Sequence, residues 1–179
     1  MKTIGNWLTN LAKEHTPDFE ECVSVLGEVF PLLYEFENTE QDPQWHAEGN
    51  VAIHTNMVLT ELYKVLEKDA SHLVGELRQA LVLAALFHDI AKPLTTRRID
   101  IRGIERVIAT KHEEVGASYL ATRLSQLPLH QRCIETVMSL VGFHQMPKLL
   151  VVRNKSFNDY LHLALNVNLE LVYWLEVAD

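Results

Sequence analysis

His88 and Asp89 stand side by side directly after an unbroken apolar run, Ala80 to Phe87, in a sequence of 179 residues. Both side chains are common ligands of divalent metal ions. If the run is a buried helix, the histidine extends its buried face, where an unpaired polar group costs about 1–3 kcal/mol. A carboxylate at the same place needs a cation nearby. The pair predicts metal ligands or, as the simpler alternative, a core histidine at a capped helix end.

Two further histidines and one aspartate occupy similar positions on other apolar stripes. They are His54 in a predicted helix Val51–Lys68, His144, and Asp179 at the last position. Each lies at helical spacing from a stripe of mostly apolar residues. The stripe of His54 is Val51, Met57 and Val58, and that of His144 is Ile134, Val137 and Val141. The stripe that ends at Asp179 is Leu161, Leu165, Asn168, Val172 and Leu175. Asp179 has an alternative interpretation as a terminal acid without a role.

His112 completes the set, because it stands just inside a predicted helix start where Thr110 and Glu113 match a capping box. Four histidines and two aspartates on five predicted helices can share one buried point only if a cation compensates for their burial. Such a donor set suits Mn, Fe, Co, Ni, Cu or Zn better than Mg, which prefers oxygen ligands. The sequence therefore predicts one or two divalent transition-metal ions.

In type and order these residues resemble the metal ligands of the HD superfamily of metal-dependent phosphohydrolases. Two segments resemble particular members of that superfamily. The start of the HD domain in bacterial tRNA nucleotidyltransferases is similar to the segment WHAEGNVAIHTNMVL (Trp45–Leu59). KHEEVGA (Lys111–Ala117) resembles more closely the HD module fused to polynucleotide kinases in bacterial RNA end-healing enzymes. The resemblance extends over residues 41–179.

The resemblance implies an all-α fold, the HD-domain helical bundle, with two ion sites that share Asp89. The first site would use His54, His88, Asp89 and Asp179, and the second would use Asp89, His112 and His144. It also implies that this chain is the front module of a longer protein in which a kinase module follows.

The activity that the resemblance implies is the hydrolysis of phosphate esters at nucleotide or RNA ends, as phosphodiesterase and phosphatase. The expected reaction opens a 2′,3′-cyclic phosphate and then removes the 2′-phosphate. One alternative is an HD-type 5′-nucleotidase acting on free mononucleotides, although that class typically carries glutamate at the position of Lys92. The other alternative is a non-catalytic RNA-binding module with a vestigial site.

Three more residues near these ligands are candidates for the chemistry. Lys92 lies one turn beyond His88 and could hold a phosphate oxygen, or could simply interact with the dipole of a helix C-terminus. His46 and Glu48 precede the His54 helix, for which Asn50 is the expected N-cap. We expect them to contact or protonate the leaving group, the alternative being loop residues without such a role.

The net charge of −8 argues against a broad nucleic-acid-binding surface. Basic residues nevertheless cluster beside the proposed ligands, in one group of Lys92, Arg97, Arg98, Arg102, Arg106 and Lys111 and a second of Lys148, Arg153 and Lys155. We interpret them as a basic mouth for a phosphate-bearing substrate, with Lys92, Arg106 and Lys111 as phosphate-binding candidates. The alternative is ordinary solvated loops.

Length and composition predict a single domain over residues 1–179, because 47% of the residues are hydrophobic and 22% charged. A small β-hairpin is expected around residues 95–109, where apolar residues alternate about Arg102-Gly103. One helix is expected from Ser156 to the end of the chain. The sequence shows neither a signal peptide nor a transmembrane run, and its two cysteines fit core positions, so we expect a cytoplasmic protein without a membrane partner.

Overall fold

The computed structural model describes residues 4–179, which begin with α1 (Ile4–Leu11), α2 (Phe19–Leu26) and a 3-10 helix, Pro31–Asn38. Buried polar side chains tie this first part to the centre of the molecule. Arg78 donates to the carbonyl of Leu11 and Gln79 to that of Leu8. These bonds add partners for carbonyls at the C-terminal end of α1, where helical hydrogen bonds run out.

The two helices that follow supply the first polar residues of the interior. α3 (Val51–Lys68) begins at Val51 because the side chain of Asn50 accepts a hydrogen bond from the backbone N–H of Ile53. α4 (Gly75–Phe87) is central, and every residue from 78 to 87 is buried. A helix that is buried on all sides ends inside the protein. The residues directly after α4 are therefore placed in the interior.

A single turn of helix, α5 (Lys92–Thr95), leads into an antiparallel hairpin of β1 (Thr96–Ile101) and β2 (Ile104–Ala109). The two turn residues, Arg102 and Gly103, have φ values of 56° and 82°. Two consecutive positive φ values are typical of a tight two-residue hairpin turn. The hairpin expected around residues 95–109 is confirmed.

The second half of the chain is helical. It comprises α6 (His112–Arg123), a 3-10 turn (Leu124–Gln126), α7 (Gln131–Phe143), α8 (Met146–Val152), α9 (Phe157–Asn166) and α10 (Leu169–Ala178). α7 packs on α4 and α6, while α10 returns to pack on α3 and α4. One cluster of buried apolar side chains connects Trp7 with Ala178, and the predicted all-α fold with one small hairpin is confirmed. Among residues 4–179, none of the helices has both the length and the hydropathy needed to cross a bilayer.

The start of α6 differs from the sequence prediction. Its N-cap is Lys111, which has a left-handed backbone (φ 63°) and makes no capping hydrogen bond through its side chain. The capping box expected from Thr110 and Glu113 is therefore wrong. The chain enters α6 directly from β2, and this sharp change of direction sets the backbone of Lys111.

The single helix expected from Ser156 to the end of the chain is also wrong. Ser156 and Asp159 do form a capping box for α9, but that helix ends at Asn166. Asn168 then caps α10 by accepting from the backbone N–H of Leu171. Asn168 is thus a helix cap and not a member of an apolar stripe, and Leu161 and Leu165 of α9 are exposed.

Candidate metal centre

Six polar side chains meet where five helices begin or end. His54 lies in the first turn of α3 and His112 in the first turn of α6. His88 and His144 cap the C-terminal ends of α4 and α7, and Asp179 follows α10. Asp89 follows His88, and the side chains of both are 1% exposed. The structure brings together all six residues that the sequence proposed as ligands.

The first group in the cluster comprises His54, His88 and Asp179, whose donor atoms could hold one ion. Asp179 Oδ1 lies 2.9 Å from His54 Nε2 and 3.5 Å from His88 Nε2. The two Nε2 atoms are 3.2 Å apart. Nitrogens at this separation are close enough for both to bind one shared ion.

The second group comprises Asp89, His112 and His144, which could also hold an ion. His112 Nε2 lies 3.2 Å from Asp89 Oδ1 and 3.3 Å from His144 Nε2. The other Asp89 oxygen, Oδ2, lies 3.2 Å from His88 Nε2. The Asp89 carboxylate therefore faces both groups, one oxygen towards each.

The histidines are oriented by hydrogen bonds on the far side of each ring. Nδ1 of His88, His112 and His144 donates to the carbonyl three residues earlier, that of Ala85, Ala109 or Val141, at 2.7–2.8 Å. His54 Nδ1 lies 3.0 Å from Glu48 Oε1. A neutral imidazole with its proton on Nδ1 carries a lone pair on Nε2. In that neutral form the Nε2 lone pair of each ring would point into the cluster.

This arrangement fits a divalent cation. The Nε2 atoms that face each other at 3.2–3.3 Å repel unless a proton or a metal ion lies between them. Both Asp89 oxygens are buried; Oδ2 lies 2.6 Å from Lys92 Nζ, and Oδ1 lies 3.2 Å from His112 Nε2. Lys92 compensates the charge on one side of the carboxylate, and an ion held with His112 and His144 would compensate it on the other. Imidazole and carboxylate donors together suit the ions from Mn to Zn.

The electrostatics of the cluster keep Asp89 charged and His144 neutral. Burial opposes ionisation of Asp89, but His88 and Lys92 outweigh it and hold the pKa of Asp89 well below its usual value. Burial likewise lowers the pKa of His88, but the Asp89 carboxylate dominates and raises it to about 9. Burial and the charge of His88 lower the pKa of His144 to about 3. An ion entering the cluster would therefore displace a proton from His88.

Lys92 is buried beside the cluster and does not extend into solvent from a helix end. Its Nζ lies 2.6 Å from Asp89 Oδ2 and donates a hydrogen bond to the side-chain oxygen of Gln41. An ammonium group has three donors, so one remains for a ligand. The sequence gave no signal for Gln41, because a lone glutamine in a loop has no distinctive spacing.

His46 and Glu48 lie next to His54, and their contacts suggest different roles for the two residues. Glu48 Oε1 lies 3.0 Å from Nδ1 of both His46 and His54. Burial and the positive charge of Lys92 lower the pKa of His46. Both residues line the cavity, and Glu48 in addition supports His54 from behind as the outer carboxylate of a carboxylate–histidine–metal arrangement.

The cavity over the cluster has a volume of about 580 Å³. Its cationic side chains are Lys92 and Lys148, and its rim carries the carboxylates of Glu40, Asp42, Glu61 and Glu113. Trp45, Met57 and Gln145 also line it. Lys148 was expected in a basic cluster, but the carboxylates around the rim were not expected. Residues distant in sequence form this rim, so helical periodicity could not reveal it.

The expected basic mouth is not what the structure shows. Arg106 is not part of the cavity lining, and its Nε lies 2.6 Å from Oδ2 of Asp42, a residue of the rim. Lys111 is exposed outside the lining, at the strained start of α6. Arg98 is likewise bound to the carboxylates of Glu40 and Glu105, at 2.6 and 2.9 Å. Acidic partners thus neutralise arginines of the hairpin.

Comparison with known proteins gives one family. Residues 51–171 match the family model described as the HD domain. The matched range extends from the start of α3 into α10 and includes five of the six clustered residues. The search of curated proteins found no match.

Proposed function

The chain belongs to the HD domain family, a family of metal-dependent hydrolases, and on that premise we propose that it hydrolyses the phosphate ester of a terminal nucleotide. The substrate is an RNA end that carries a 2′,3′-cyclic phosphate. The enzyme opens the ring and then removes the remaining monophosphate. The observation that carries the proposal is the buried cluster in which the Asp89 carboxylate faces two histidine groups, one oxygen towards each.

Each residue of the cluster has a definite part in this reaction. His54, His88 and Asp179 would hold one ion and His112 and His144 another, with Asp89 serving both. Bound divalent ions supply a nucleophile at neutral pH and neutralise the charge that develops on the phosphate. Lys92 uses its third donor to hold a phosphate oxygen. His46, with its lowered pKa and its Nδ1 bound to Glu48, is neutral at pH 7 and presents Nε2 as an acceptor. It can therefore take a proton from water and return that proton to the departing ribose oxygen.

The size of the cavity supports a terminal nucleotide as the substrate. Small-ligand sites have volumes of about 300–1,000 Å³, and the cavity of about 580 Å³ lies within that range. A cyclic phosphate carries one negative charge, whereas the monoester left after ring opening carries two. The product of the first step therefore binds the same cations more strongly, which allows a second hydrolysis.

A free 5′-mononucleotide is the second candidate substrate, and the rim of the cavity favours it. A polyanionic strand needs a basic path along its backbone, but Arg98 and Arg106 are already bound to carboxylates. A small nucleotide needs no such path. The two candidate substrates would use the same cluster for the reaction. They differ in length, and the rim of the cavity favours the shorter one.

The test incubates manganese-loaded protein with an oligoribonucleotide ending in a 2′,3′-cyclic phosphate and, separately, with a panel of 5′-mononucleotides. Phosphate release from the oligonucleotide through a terminal monophosphate intermediate is the expected result. Turnover confined to the mononucleotides would assign the second candidate. Asp89→Ala is the matched inactive control. If the protein binds metal but hydrolyses none of these esters, or binds no metal at all, the proposed function is wrong and a non-catalytic module is favoured.

A further inference from the structure

One tryptophan of the chain is exposed at the wall of the cavity. The side chain of Trp45 is 70% exposed, whereas Trp7 is 2% exposed within the core. Met57 lines the same cavity and is 49% exposed, although the spacing of α3 placed it on the buried face of His54. Large aromatic side chains that stay in water beside a ligand site commonly serve as contact surfaces for planar groups.

The backbone that carries Trp45 is fixed on both sides. The Asp42 carbonyl accepts hydrogen bonds from the N–H groups of Trp45 (3.0 Å) and His46 (2.9 Å). The Asp42 carboxylate accepts from Arg106 and from the backbone N–H of Val107, which pins the turn to β2. The indole therefore projects from a turn whose backbone is held by hydrogen bonds on both sides.

Trp45 and Met57 both lie close to the metal centre. His46, the residue after Trp45, packs edge-on against the ring of His54, with centroids 4.8 Å apart. Met57 stands one helical turn after His54 on α3, so their side chains are neighbours on the same face. A ligand with its phosphate at the cluster can therefore extend over both side chains.

We propose that Trp45 and Met57 form a stacking platform for the base of a nucleotide whose phosphate lies at the metal centre. This inference rests on the proposed function, since it places the base of the same substrate. The rim favours a nucleobase over other planar groups, because the carboxylates of Glu40 and Glu61 can accept hydrogen bonds from the N–H groups on a base edge. A stacking contact uses the π-face, which every base has. The platform therefore favours nucleotides of any base over phosphate esters that lack a base.

The kinetic test compares adenosine 2′,3′-cyclic phosphate with 1-O-methylribose 2′,3′-cyclic phosphate, which has the same phosphate and sugar but no base. Trp45→Ala should reduce the preference for the adenosine compound, as a ratio of kcat/KM values, by about 5- to 150-fold, the effect of losing one base–aromatic contact. Trp45→Phe should retain most of the preference. Phe157→Ala is the control, because Phe157 is 78% exposed on α9, outside the cavity lining, and should not change the ratio. An unchanged ratio in Trp45→Ala would overturn the platform.

A binding measurement separates this inference from the proposed function. Titration of the metal-loaded protein with AMP should quench its tryptophan fluorescence. The quenching should be lost in Trp45→Phe. Ribose 5-phosphate, which has no base, should cause no quenching of the unsubstituted protein. Quenching without turnover of any ester would retain the platform and reject the hydrolase. Turnover of both cyclic phosphates with equal kcat/KM and no quenching would retain the hydrolase and reject the platform.

Discussion

Each imidazole of the metal centre has one nitrogen committed to the protein and the other directed into the cluster. For three of the four histidines the partner is a backbone carbonyl one turn earlier. His54 differs, because its partner is the carboxylate of Glu48. A charged acceptor makes the ring a better electron donor than a carbonyl does. His54 should therefore be the ligand most sensitive to substitution behind it.

Glu48→Gln tests this role. The amide can still accept a hydrogen bond but lacks the negative charge, so the dissociation constant for Co²⁺ should rise about tenfold, measured by the visible absorption of the bound ion. Glu61→Gln is the matched control, because Glu61 lines the same cavity but pairs with Lys64. A lower kcat with unchanged Co²⁺ affinity would instead indicate that Glu48 acts on the leaving group.

At the level of elements, the hairpin supports the turn that carries Trp45 and His46. Arg106 of β2 binds Asp42, and this contact lowers the pKa of Asp42. The side chains are 24% and 8% exposed, so the pair is only partly accessible to solvent. The arginines of the hairpin thus include residues that position the wall of the cavity instead of attracting substrate.

Substitution of arginines in the hairpin distinguishes these two roles. Arg106→Ala removes the charged partner of Asp42 and should lower Tm by about 2–6 °C in a thermal scan. Arg102→Ala, at the exposed turn of the same hairpin, should leave Tm unchanged. If both variants kept the wild-type Tm and both raised KM for an oligonucleotide, the arginines would act on the substrate after all.

Helices with a strong pattern and a clear cap were predictable from the sequence. The prediction of α3 was correct to the residue, because Asn50 caps it and apolar positions repeat along its length. The end of α9 was missed, because Asn168 has the spacing of a stripe member although it begins a new helix. The start of α6 was missed because Lys111, two residues after β2, takes a left-handed backbone that no local pattern records.

The candidate site was predictable for a similar reason and to a similar extent. Histidine and aspartate at the ends of apolar stripes are costly unless they meet, so the sequence pointed to all six clustered residues. Contacts between distant loop residues leave no such trace. Arg98 and Glu40 are 58 positions apart, and Lys92 and Gln41 are 51 apart. These contacts, one an ion pair and the other a hydrogen bond to an amide, therefore became visible only in the fold.

At the scale of the whole molecule, the candidate metal centre is the point where the start of α3 meets the end of α10. α3, α4, α6, α7 and α10 each contribute at least one side chain, and His54 and Asp179 are 125 positions apart. An ion held there connects helices from the first and last thirds of the chain. Because the unfolded chain cannot present these ligands together, the free energy of binding adds to the free energy of unfolding.

Metal removal should therefore lower thermal stability. At a free Mn²⁺ concentration 100 times the dissociation constant, binding contributes about 2.7 kcal/mol, which corresponds to a rise in Tm of about 5–10 °C for a chain of this size. The measurement compares the EDTA-treated protein before and after Mn²⁺ is added. Mg²⁺ at the same concentration should raise Tm less, since imidazole nitrogens suit it poorly. Asp89→Ala, compared with its own metal-free form, should lose most of the increase, because Asp89 faces both groups. An equal increase in Asp89→Ala would place the ion elsewhere in the protein.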